Sequence, residues 1–166
     1  MILAMILTAI VMTGDAQKPP EPEMPAFKSV ACDFFTYDNA FKLLGKSTGA
    51  DGGMEDTAES RSWKCTYTAS DKGDKSPKLY FMMLKSTSDN AAKQVFDAVR
   101  QSNLKHPGFA EWSGIGDEAV VHRDEPNFYF VMVRKGVKAI RVKVNPADGV
   151  SFDDLKAVAV SLTARL

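Results

Sequence analysis

The side chains able to do chemistry in this chain are few: two cysteines, two histidines, scattered acidic pairs and one concentration of cations. Cys32 and Cys65 have neither the Cys-x-x-Cys nor the Cys/His spacing that a zinc site or dithiol redox motif needs. In an exported chain an even pair reads as a structural disulfide. His106 stands beside a Pro-Gly turn and His122 in a strand-like run flanked by charge, so both read as surface histidines. Asp117-Glu118, Asp124-Glu125 and Asp153-Asp154 are adjacent pairs, and adjacent side chains on a strand face opposite ways. They suit turns, caps and solvent better than an acid/base couple. Glu55, Asp56 and Glu59 gather in a glycine-rich stretch without EF-hand spacing. Gly114-x-Gly116-x-x-Ala119 spells the dinucleotide fingerprint, but a strand-like run follows where the fingerprint needs a helix, so it reads as a turn. Neither a Gly-x-Ser-x-Gly elbow nor a His-Glu-x-x-His helix is present. No catalytic residue, cofactor or metal is assigned.

The cations are Arg134, Lys135, Lys138, Arg141 and Lys143. On the solvated face of a hairpin they can hold an anionic ligand or surface, with Tyr129 nearby as a stacking platform. They equally suit a charged outer face, where lysines keep edge strands from pairing with other chains. Formal net charge is zero, with 21 basic and 21 acidic residues, so no global field recruits nucleic acid and none is expected as a partner.

The elements that must position these residues follow from periodicity. Thr36 to Gly45 reads as a helix, with Thr36 as cap, Tyr37, Ala40, Phe41 and Leu44 on one face, and Gly45 as its end. Ser47 to Arg61 is rich in glycine and acid without periodicity and reads as a loop. Ser62 to Thr68 alternates, with Trp63, Cys65 and Tyr67 on one face, and Lys78 to Leu84 returns as its hairpin partner. Thr87 to about Gln101 is a second helix with Ala92, Val95, Phe96 and Val99 as its stripe. Glu118 to Arg123, Asn127 to Arg134 and Val137 to Val144 read as three strands, the last two joined at Lys135-Gly136. A helix from Ser151 closes the chain, Ser151 and Asp154 forming a capping box. The expected fold is α+β: a mostly antiparallel sheet of about five strands with three helices, in the order α-β-β-α-β-β-β-α.

Residues 1–16 open with an uncharged apolar run from Met1 to Thr13, matching a secretory signal and too short to span a bilayer. Gly14 and Ala16 fit a cut before Gln17. Residues 17–26 hold four prolines and read as a stiff linker, leaving 27–166 as one domain. The mature chain then carries one net positive charge, has no transmembrane segment, and belongs in the periplasm or outside the cell.

Cys32-Asp-Phe-Phe-Thr-Tyr-Asp-Asn-Ala-Phe-Lys-Leu-Leu-Gly45, Trp63-Lys-Cys65-Thr-Tyr, Gly114-Ile-Gly-Asp-Glu-Ala119 and the closing hairpin and helix resemble a family of small secreted bacterial lipoproteins of unknown function. The resemblance covers most of the mature domain and implies a fold similar to PsbP/Mog1-type α+β domains, with no activity attached. The lipobox cysteine of that family is missing here. The expected function is an exported, non-enzymatic accessory domain binding an envelope protein or small ligand. The alternative is a secreted or periplasmic hydrolase whose site assembles only in three dimensions.

Overall fold

A computed structural model describes residues 30–45, 48–69, 78–125, 127–145 and 150–166. The expected signal segment, the linker and the domain's start at Phe27 lie outside the described residues. Eleven elements follow one another: α1 (Val30–Phe35), α2 (Tyr37–Leu44), β1 (Thr48–Asp56), β2 (Ser60–Ala69), β3 (Lys78–Ser86), α3 (Asp89–Asn103), β4 (Phe109–Trp112), β5 (Glu118–Asp124), β6 (Phe128–Lys135), β7 (Lys138–Val144) and α4 (Phe152–Ala164). The seven strands form one antiparallel sheet in the order β1-β2-β3-β7-β6-β5-β4.

The expectation of five strands, three helices and the order α-β-β-α-β-β-β-α is therefore corrected. Among the described residues there are seven strands and four helices, in the order α-α-β-β-β-α-β-β-β-β-α. The stretch read as a loop contains β1, whose residues after Thr48 are exposed whichever way they face. Burial on neither face leaves no alternation to read, and β1 is held by main-chain pairing along the whole of β2. The four-residue β4 is too short to show a period, and it pairs with β5 from Phe109↔His122 to Trp112↔Ala119. The helix expected from Thr36 to Gly45 is α2, and the fourth helix is α1 before it, the chain turning between the two at Thr36 with φ 63°. Thr36 caps α2 by accepting from the Asn39 amide, and Gly45 ends it at φ 65°. On α2, Ala40, Leu43 and Leu44 are buried, whereas Tyr37 and Phe41 point outward, more than half exposed.

Alternation along the strands creates two apolar faces, and helices cover them unequally. Cys65, Tyr67, Leu79, Phe81, Val121, Val131, Val133, Ile140, Val142 and Val144 meet α1, α2 and α4 in the larger core. Each fully buried Leu, Val or Phe contributes about 1.5–3 kcal/mol to this layer. The Cys32–Cys65 disulfide, with its Cα atoms 5.2 Å apart, ties α1 to β2. Beside it, the Tyr67 hydroxyl donates to the Cys32 carbonyl at 3.0 Å, and Phe35 packs on Phe81 at 4.8 Å.

The opposite face carries one helix. Phe96 of α3 joins Leu84, Val120, Phe130, Met132 and Ala139 there. A helix is about 10 Å wide, whereas seven strands at about 4.8 Å spacing span roughly 30 Å. One helix cannot cover that width. Over β2 the uncovered face is polar, with Lys64 and Thr66, whereas Tyr80 of β3 and Phe128 of β6 bring aromatic surface to it beside Lys143 of β7.

Candidate functional site: a cationic, aromatic cleft beside helix α3

Strand register decides which of the five expected cations act together. Lys135 and Lys138 emerge on the α4 side, where Lys135 Nζ donates to the Thr163 carbonyl at 3.2 Å and Lys138 Nζ to the Leu166 main-chain oxygen at 2.8 Å. Arg134, Arg141 and Lys143 lie on the α3 side. Arg134 is buried and spent on structure: it pairs with Asp89 at 2.8 Å, Glu118 at 2.7 Å and Asp117 at 3.4 Å. Those carboxylates raise its pKa against the opposing effect of burial.

The Gly-Asp-Glu turn belongs to this lock. Gly116 sits at φ 62° with its backbone against Arg134, where a Cβ would collide with the Arg134 carbonyl oxygen. Asp117 donates its amide to that same carbonyl at 2.8 Å, and its carboxylate accepts from the Gly136 amide at 2.7 Å. The turn therefore clamps β5 to the β6–β7 hairpin, consistent with the turn reading and with a strand, not a helix, following it.

Arg141 and Lys143 are different. They line a cleft of about 380 Å³ together with Lys64, Tyr80, Met82, Phe128 and Phe130. That volume lies in the range of roughly 300–1,000 Å³ typical of small-ligand sites. Across the register, Arg141 stands between Met82 and Met132, and Lys143 between Tyr80 and Phe130. Lys143 Nζ is 4.1 Å from the centre of the Phe128 ring, and the Arg141 guanidinium carbon 6.0 Å from that of Phe130. Both are cation–π distances. Lys64 is ion-paired with Glu55 on β1. Arg141 Nε is buried and has no hydrogen-bond partner among the described residues. Burial lowers the Arg141 pKa from the ordinary guanidinium value, and no carboxylate counters it. Among the described residues no acidic side chain lines the cleft.

Tyr129, expected as the stacking platform, lies on the opposite face against Phe152 at 5.4 Å, and its hydroxyl donates to Glu125 at 2.8 Å. The aromatic residues beside the cations are Tyr80, Phe128 and Phe130. Period-2 alternation across paired strands could have selected Phe128, Phe130, Arg141 and Lys143 together. Tyr80 needed the β3–β7 pairing, which no local signal announces.

Of the remaining candidates only the two histidines come together, and no carboxylate or cysteine joins them among the described residues. His122 is buried, not a surface residue, and its ring stacks on His106 at 5.3 Å and meets Phe128 edge-on at 5.1 Å. Asp56 pairs with Arg61 at 2.7 Å, and no group of three His, Cys, Asp or Glu that could hold a metal is found among the described residues. Asp124 accepts from Asn127, Glu125 pairs with Arg123, and Asp154 closes the Ser151 capping box. No helix among the described residues is long and apolar enough to cross a membrane.

Compared with models of protein families, with curated proteins and with solved structures, the chain matches none.

Proposed function

We propose that the chain is an exported, non-catalytic binding domain and that the cleft beside α3 receives a small organic anion. One observation carries this reading: a buried guanidinium nitrogen without an acceptor, in an aromatic cleft that no acidic side chain lines among the described residues. A buried donor left unsatisfied costs about 1–3 kcal/mol, more for a charged group, and a bound anion removes that cost. Export is supported by the apolar run at the N-terminus and by the Cys32–Cys65 bond, which persists in oxidising compartments. The family resemblance agrees with it.

A hydrolase needs a nucleophile within reach of a base. The cleft offers the hydroxyls of Thr66 and Tyr80, with no imidazole or carboxylate among its lining residues, which favours binding over hydrolysis.

Thermal-shift measurements against a panel of small organic anions, on the wild-type and Arg141→Gln proteins, test the proposal. A saturating ligand at a hundred times its Kd adds about 2.7 kcal/mol, raising Tm by roughly 5–10 °C in a chain of this size. At least one anion is expected to stabilise the wild type in this way and to lose most of that effect on the variant. Equal stabilisation of both proteins, or none from the whole panel, overturns it.

A further inference from the structure

Resting on the binding reading above, we infer that the ligand is a flat aromatic carboxylate that meets the Arg141 edge through its two oxygens and stacks on Tyr80. The donor geometry comes first. Nε and the neighbouring Nη of an arginine form a planar two-donor edge whose spacing matches the two oxygens of a carboxylate. In Arg141 the Nε of that edge is unpartnered and nearly closed to solvent, in a side chain that is only partly buried, so the carboxylate seats with a small turn of the guanidinium.

Charge sets the number of negative groups. Lys64 already has Glu55 as a partner, and Lys143 lies over the Phe128 ring, whose quadrupole partly satisfies it. One anionic group is enough for Arg141.

The body of the ligand follows from the walls. Lys143 covers a face of Phe128 and Arg141 leans over Phe130, so these rings are engaged by the protein's own cations. Among the described residues no cation covers Tyr80 in this way: it pairs in register with Lys143, lines the cleft and is 44% exposed. An exposed tyrosine ring at a cleft's edge offers a large rigid contact surface at little entropic cost. Met82 beside it supplies an adaptable thioether that packs well against aromatic rings. A volume of about 380 Å³ accommodates one or two fused rings with a carboxylate.

The experiment is a titration of the full chain followed through the Arg141 Nε–Hε resonance by NMR, with four probes: 2-naphthoate, octanoate, 2-naphthalenemethanol and inorganic phosphate. We expect 2-naphthoate to move this resonance with an affinity at least about tenfold above the other three. Arg141→Gln should weaken 2-naphthoate by about 10- to 100-fold, the range for a charge-assisted hydrogen bond. Tyr80→Ala should weaken 2-naphthoate several-fold while leaving octanoate unchanged. Octanoate or phosphate binding as tightly as 2-naphthoate, or 2-naphthoate binding unaffected by Tyr80→Ala, refutes the aromatic assignment and leaves the anion-binding reading standing. A resonance that none of the four probes moves overturns both.

Discussion

Replacing Arg141 with methionine should stabilise the protein, because the native residue keeps a buried guanidinium nitrogen without an acceptor. The guanidinium Nε is unpartnered and burial alone lowers its pKa. Removing an unsatisfied buried donor recovers about 1–3 kcal/mol. Arg141 as a whole is only partly buried, which places the gain at the lower end. Against it stands the contact with Phe130, centred 6.0 Å away, worth about 0.5–1 kcal/mol. Methionine keeps the apolar stem that packs between Met82 and Met132. The net expectation is a gain of about 1 kcal/mol, or roughly 2–4 °C in Tm. Urea denaturation with the disulfide intact gives the midpoint, and an unchanged slope shows that stability alone has moved. A ligand site held at the expense of stability behaves this way. A loss of more than about 1 kcal/mol would mean that Arg141 has a structural partner in solution, and the argument from its missing acceptor would fall.

Three further outcomes follow from the same contacts. Cys32→Ser with Cys65→Ser opens a loop spanning 33 residues of separation, which should cost about 3–4 kcal/mol and lower Tm by roughly 7–15 °C; a Tm within about 2 °C of wild type in calorimetry contradicts it. Gly116→Ala forces a Cβ against the Arg134 carbonyl, whereas Gly114, also at positive φ, faces open space, so Gly116→Ala should destabilise the fold more than Gly114→Ala in parallel urea titrations. Burial pushes the Tyr67 phenol from its ordinary 10.0 up to about 12. Because the folded value is the higher one, its contribution is complete below about pH 10 and is lost as pH rises towards about 12, and Tyr67→Phe should flatten stability across that window; an equal alkaline slope in the variant argues against it.

Local chemistry announced those parts of the fold that rest on local chemistry. Ser151 with Asp154 marks a capping box, Thr36 and Gly45 bracket α2, and the apolar periods of β2, β7 and α3 survive in the structure. What escaped depends on partners distant in sequence. β1 is strand because β2 lies beside it, and its own residues carry no burial pattern. Tyr37 and Phe41 fit a helical stripe as well as Leu43 does, yet the packing of α2 turns them to solvent. The cation cluster was legible, but the fate of Arg134 was not. Alternation separates Lys135 and Lys138 from the other three, and only the three-dimensional proximity of Asp89, Asp117 and Glu118 consumes Arg134. Arg141 and Lys143 are what remains for a ligand, and the ring beside them with an open face comes from a strand more than 50 residues earlier.

The most direct test of the anion-binding cleft is a crystal structure of the protein purified from its native compartment in buffers free of carboxylate, phosphate and sulfate. The account predicts density for a flat molecule beside Tyr80, with its anionic group within hydrogen-bond distance of Arg141 Nε. An Arg141 whose Nε instead meets a protein carbonyl or carboxylate, in a cleft closed around it, would contradict the account.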